Sequence, residues 1–88
     1  MSMSDETRVI VNQLNGSLRT LQRYRNTSIA LHNRVVPGFD ELASRNLETV
    51  MEIDNQYPDD PEIQRWVAKW YEYTEQHNVQ INVPDGER

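Results

Sequence analysis

The sequence predicts an all-α fold in which three helices pack in an antiparallel arrangement and the first helix is the longest. Two observations lead to this prediction. Apolar residues recur at spacings of three, four or seven in three successive stretches, which is the period of an amphipathic α-helix. The stretches are separated by Pro37-Gly38 and by residues 57–61, where proline and turn-forming residues interrupt the pattern. With 88 residues, the chain is expected to form one small domain, 1–88.

The first helix is predicted over residues 4–36. Ser4 offers a side-chain oxygen to a free main-chain amide, and Asp5 and Glu6 follow at the positive end of the helix dipole. The apolar periodicity then continues as far as Val36, directly before the proline. These signals give the helix a clear start and place its end at the proline.

The predicted first helix is too long for a compact domain of this size. At 1.5 Å per residue it would extend about 50 Å, whereas an 88-residue domain has a diameter of roughly 30 Å. The helix could break at Gly16-Ser17 or within residues 26–28, which are poor helix formers. The alternative is a continuous helix whose overhang is covered by another subunit. We favour the continuous helix in an oligomer.

The second and third helices are predicted over residues 39–56 and 61–77. Asp60 is a natural N-cap, and Pro61 suits the first position of a helix. The second helix carries an apolar stripe, and the third presents a broad face rich in tryptophan and tyrosine.

The C-terminal residues show a different pattern. Asn78 is a plausible cap for the third helix. Apolar and polar residues alternate over 79–83, which predicts a short extended segment that packs along a helix groove. Residues 84–88 are expected to form a flexible tail.

Charge is divided unevenly along the chain. Residues 1–36 carry five arginines against two carboxylates, a net charge of +3, whereas residues 37–88 carry four cations against twelve carboxylates, a net charge of −8. This asymmetry favours head-to-tail or antiparallel pairing of a basic helix with acidic ones, within one chain or between copies.

Several classes of protein are disfavoured by what the sequence lacks. There are no cysteines, residues 1–6 do not resemble a signal peptide, and no apolar run approaches the roughly 20 residues of a membrane span. We therefore expect a soluble, cytoplasmic protein that does not bind membranes. His32 and His77 are the only histidines, and no nucleophile, phosphate-binding or metal-ligand motif occurs. The sequence therefore argues against an enzyme and gives no indication of a cofactor or metal.

The leading hypothesis for function is a non-catalytic protein–protein interaction module, such as an inhibitor, adaptor or assembly factor, that forms a homo-oligomer. Tryptophan and tyrosine are enriched at protein interfaces. Arg25 projects into the apolar arc of the first helix, where its charge requires a carboxylate partner or a route for the side chain to reach solvent. The residues predicted at the packing or partner surface are Leu14, Leu21, Tyr24, Arg25, Trp66, Trp70 and Tyr73.

Two alternatives use the charged faces. Arginine side chains bind phosphates through paired hydrogen bonds, so Arg8, Arg19 and Arg23 could hold a small phosphorylated ligand or nucleotide. The acidic second and third helices could instead mimic nucleic acid and inhibit a basic partner. Direct nucleic-acid binding is disfavoured because the whole chain is acidic.

Overall fold

The structure is a computed structural model that describes residues 4–77 and Val79. Three α-helices follow one another, α1 (Asp5–His32), α2 (Gly38–Gln56) and α3 (Pro61–Gln76), and no β-strand occurs among the described residues. Every pair of helices is in contact. The predicted all-α fold with the longest helix first is therefore confirmed.

Both ends of α3 are set by specific caps. Asp60 accepts hydrogen bonds from the main-chain amides of Glu62 and Ile63 at 3.1 and 3.2 Å, as its position before Pro61 predicts. At the other end, the amide of Val79 donates to the carbonyl of Thr74 at 3.0 Å, which satisfies one of the last free carbonyls of the helix. The predicted cap Asn78, the remainder of the extended segment 79–83 and the tail 84–88 lie outside the described residues.

α1 begins as predicted but ends four residues earlier than expected. The Ser4 hydroxyl accepts from the amide of Thr7 at 3.1 Å and caps the helix start. At the other end, Asn33 adopts a left-handed conformation with φ 57° and ψ 25°, and its amide donates to the carbonyl of Ile29 at 2.8 Å. Asparagine tolerates this conformation better than most residues, so it ends the helix at His32.

α1 is continuous through both of the weak points that the sequence indicated. The Ser17 hydroxyl donates to the carbonyl of Leu14, and the Thr20 hydroxyl donates to the carbonyl of Gly16. These hydroxyl groups are satisfied on the helix itself, so they do not divert the backbone from helical geometry.

The three helices run up, down and up. The Thr7 hydroxyl at the start of α1 donates to Asp60 at the start of α3 over 2.7 Å, so these two helices point the same way. Tyr24, late in α1, contacts Gly38 at the start of α2. α2 therefore runs antiparallel to both neighbours, and the core lies along the middle of the bundle.

The core is apolar and is drawn from all three helices. Its least exposed large side chains include Leu14, Leu21 and Trp70. The remaining buried apolar residues are Val11, Leu18, Phe39, Ala43, Leu47, Val50, Ile53, Ile63 and Val67.

Candidate functional site

α1 extends well past the helices that cover its first two thirds. It has 28 residues whereas α3 has 16, so it is about 18 Å longer. After Leu21, the only buried residue of α1 is Ser28. We call residues 22–37, which comprise the end of α1 and the loop to α2, the tip.

Ser28 holds the two parts of the tip together. Its hydroxyl donates to the carbonyl of Arg34 at 2.7 Å and accepts from the amide of Val36 at 2.8 Å. These two bonds fold the loop back along α1. The tip is therefore a defined surface rather than a free helix end.

The tip carries most of the exposed apolar surface among the described residues. Six large apolar side chains are exposed in that part of the chain, and four of them are Tyr24, Ile29, Leu31 and Val35. Leu31 is the most exposed of the six, at 73%. Tyr24 and Leu31 project on one side of α1, whereas Ile29 projects on the other side. Single exposed apolar residues are common, but several of them within one short stretch are typical of an interaction site.

A shallow groove of about 340 Å³ runs along one side of the tip. Tyr24 lines it, and a Cβ atom added to Gly38 would overlap the Tyr24 hydroxyl, so this hydroxyl lies against the start of α2. Arg23 also lines the groove, and no carboxylate of the described residues does. The lining residues are Thr20, Arg23, Tyr24, Thr27, Ser28, Leu31, His32 and Val36.

Arg25 lies on the other side of α1, at its contact with the end of α3. It is partly exposed, and no described carboxylate lies within ion-pair distance of it. Its neighbours are Tyr73 and His77, whose ring centroids are 4.4 Å apart. Burial raises the pKa of Tyr73 and the Arg25 charge opposes that rise, whereas both effects lower the pKa of His77.

The residues predicted at the packing or partner surface separate into three groups. Leu14, Leu21 and Trp70 are buried in the core, so they pack within the chain. Trp66 and Tyr73 are partly buried against that core. Tyr24 lies in the tip groove, and Arg25 lies at the contact between α1 and α3, as described above.

Of the three arginines predicted to bind an anion, Arg19 and Arg23 lie about one helical turn apart on α1, and Arg8 lies eleven residues before Arg19. Arg8 lies near the start of α1, 3.8 Å from Asp5, and Arg23 lines the tip groove. Arg19 lines a separate groove of about 360 Å³ between α1 and α3, together with Trp66 and Lys69. The Lys69 ammonium lies 4.7 Å from the centre of the Trp66 ring, a cation–π contact.

The outward face of α2 is acidic. Glu41, Glu48 and Glu52 are exposed and project on the same side of the helix. Glu41 lies 3.7 Å from Arg45 on the same helix, whereas Glu48 and Glu52 have no ion-pair partner among the described residues. Met51, 47% exposed, lies at the edge of this face.

The turn between α2 and α3 is fixed to the start of α1. The Tyr57 hydroxyl donates to Glu6, and this bond is the main cause that raises the pKa of Tyr57. The hydrogen bond that the Thr7 hydroxyl donates to Asp60 is in turn the main cause of the lowered pKa of Asp60. The polar residues here hold helices together. No group of three or more histidine, aspartate and glutamate side chains among the described residues is placed to hold a metal ion.

The residues predicted at the packing or partner surface did not include Ile29, Leu31, Val35 and Val36. Leu31 and Val35 continue the apolar periodicity of the first helix, which was predicted to extend to Val36. Asn33 was the sequence signal for an earlier end of the helix, because asparagine is a common left-handed residue at a helix end.

Comparison of this chain with protein-family models, curated proteins and solved structures finds no match. Within the described residues, no helix combines the length and the apolar character needed to cross a membrane.

Proposed function

We propose that this protein is a non-catalytic protein–protein interaction module that associates with further copies of itself through the tip. The observation that carries the proposal is the concentration of exposed apolar side chains in the tip, of which Leu31 is the most exposed, where the described part of the chain provides no cover. Removal of apolar surface from water is the main favourable term in most protein associations.

The composition of the tip supports this function. Interface centres are enriched in aromatic residues and arginine, and depleted in carboxylates. The tip groove has Tyr24 and Arg23 beside Leu31, and none of its described lining residues is a carboxylate. Ser28 already holds the loop against α1, so little conformational entropy is lost when a partner binds.

Two single substitutions on α1 test the proposal. Leu31→Asp places a charge at the most exposed apolar residue of the tip, and Val9→Asp makes the same change at a residue that is 64% exposed near the start of the helix. Neither side chain belongs to the core, so both variants should fold. Light scattering should show an oligomer for wild type and Val9→Asp, and a monomer of 10.4 kDa for Leu31→Asp. An unchanged mass for Leu31→Asp would overturn the proposal.

A second candidate function is the binding of a small phosphorylated ligand in the groove between α1 and α3. This groove places the cations Arg19 and Lys69 beside the aromatic rings of Trp66 and Tyr73, and Glu72 is the one carboxylate among its described lining residues. Cations can bind phosphate, and the rings offer a surface on which a nucleobase could stack.

Thermal unfolding with a panel of nucleotides tests this second function. A ligand that binds the folded state raises the melting temperature. The double variant Arg19→Ala/Lys69→Ala should lose that rise, whereas Arg8→Ala, which removes an arginine outside the groove, should keep it. A melting temperature that no nucleotide changes would rule out nucleotide binding here.

A further inference from the structure

We infer that the tip of one copy binds the acidic outward face of α2 on a second copy, so that the protein associates head to tail. The inference rests on the proposed function, because it identifies the partner surface for the tip. It is carried by the charges and dimensions of the two surfaces.

The tip is apolar at its centre and basic at its edge. Arg23 lines the groove beside Leu31, and Arg34 is exposed on the loop that folds back over α1. If two tips met face to face, these arginines would be brought together without carboxylates to separate them. Repulsion between like charges disfavours that symmetric contact.

The outward face of α2 offers the complementary charge. Glu48 and Glu52 are exposed one helical turn apart and have no ion-pair partner among the described residues. Met51 provides an exposed apolar contact at the edge of the same face. This face can therefore accept both the arginines and the apolar centre of the tip.

The two surfaces also match in length. The tip groove extends along α1 from Thr20 to His32, and the acidic face extends along α2 from Glu41 to Glu52. These stretches are about 18 Å and about 16 Å of helix, respectively. One helix side can therefore lie along the other over the whole length of both surfaces.

A head-to-tail contact has a consequence for assembly. The two partners use different surfaces, so each bound copy still has one unused tip or one unused α2 face. Assembly continues with further copies unless the chain of subunits closes into a ring. We therefore expect a mass that rises with protein concentration or a ring of fixed size.

Mixing two defective variants tests this arrangement. Leu31→Asp inactivates the tip but keeps the α2 face, whereas Glu48→Lys/Glu52→Lys inactivates the α2 face but keeps the tip. Each variant alone should be a monomer of 10.4 kDa. An equimolar mixture should form a 1:1 complex and stop there, because one intact tip meets one intact face. Glu72→Lys/Glu75→Lys, which makes the same charge change at exposed residues of α3, should assemble like wild type.

The results distinguish a failure of the head-to-tail contact from a failure of the proposed function. If Glu48→Lys/Glu52→Lys assembles like wild type while Leu31→Asp is a monomer, the head-to-tail contact is wrong and the tip still binds a partner copy by another surface. If the two variants are monomers that do not combine, the head-to-tail contact is also wrong. If Leu31→Asp assembles like wild type, the proposed function itself fails.

Discussion

The indole nitrogen of Trp70 donates a hydrogen bond to the main-chain carbonyl of Leu14 over 3.0 Å, which links the centre of α3 to the centre of α1. Both residues are almost fully buried. The bond satisfies the polar atom of the largest core side chain, so the tryptophan is held at one height along α1. This contact positions α3 against the first two thirds of α1, so the tip lies beyond the end of α3.

Replacement of Trp70 by phenylalanine should destabilise the fold by about 1–3 kcal/mol, because it removes the hydrogen bond and leaves unfilled volume in the core. Urea unfolding followed by circular dichroism measures this loss. Trp66→Phe is the matched control, since Trp66 is only partly buried and contacts Lys69 at the surface. An equal loss in the two variants would contradict the role assigned to Trp70.

Replacement of Ser28 by alanine should release the loop of the tip. The Val36 amide and the Arg34 carbonyl would lose their partner, at a cost of about 1–3 kcal/mol. Amide hydrogen exchange should become faster at Val36. Ser17→Ala removes a hydroxyl that bonds only within α1, so exchange at Val36 should not change in that variant. Unchanged exchange in Ser28→Ala would show that this serine does not hold the loop.

Gly38→Ala should displace the Tyr24 side chain, because the added Cβ would occupy the position of the tyrosine hydroxyl. This displacement should cost some folding stability. The higher helix propensity of alanine, worth about 1 kcal/mol relative to glycine, should offset that cost, so the net change in stability should be small. Self-association should weaken, because Tyr24 lines the tip groove.

Gly16→Ala is the control for this substitution, since a Cβ at Gly16 meets no atom within 4 Å. It should raise stability by about 0.5–1 kcal/mol without affecting self-association. In a Tyr24→Phe background, Gly38→Ala should have a smaller effect on association. Full association of Gly38→Ala would show that the Tyr24 position does not matter for binding.

The stability of the fold should fall in acid partly through Asp60. Hydrogen bonds from the Thr7 hydroxyl and from the amides of Ile63 and Glu62 lower the pKa of this carboxyl below its ordinary value of 3.8. A lowered folded-state pKa gives stability that is fully present above the unfolded value, and that stability is lost as the pH falls through the folded value.

Asp60→Asn keeps an oxygen that can accept the capping bonds but does not titrate. Thermal unfolding between pH 2 and about pH 7 should show that the variant loses less stability than wild type below about pH 4. Asp59→Asn, at an exposed neighbour with no described hydrogen bond, should follow the wild-type curve. Parallel curves for wild type and Asp60→Asn would contradict this role for Asp60.

The helices could be predicted because their signals are local. Ser4 and Asp60 cap their helices through side-chain oxygens, and both starts were correctly predicted from a few neighbouring residues. The end of α1 was predicted four residues too late. Val35 and Val36 continue the apolar spacing of the helix, so the periodicity indicated a helix to residue 36 although Asn33 ends it.

The candidate surface could be predicted only in part, because exposure depends on how far each helix is covered by the others. Tyr24, which was predicted at the packing or partner surface, is exposed in the tip groove, whereas the more exposed Leu31 was not among the residues predicted there. Trp70 was also predicted at the packing or partner surface, and it packs in the core. The difference in exposure between Tyr24 and Trp70 follows from the relative lengths of α1 and α3, which a local sequence pattern does not show.

The most direct test of the central claim is the solution mass of the wild-type protein, measured by light scattering during size exclusion at several protein concentrations. Self-association through the tip predicts a dimer or larger species that Leu31→Asp reduces to a monomer. At about 1 M salt the Debye length falls to about 3 Å, so the contribution of the charged edges should weaken while the apolar contact persists. A wild-type mass of 10.4 kDa at all concentrations would contradict self-association through the tip.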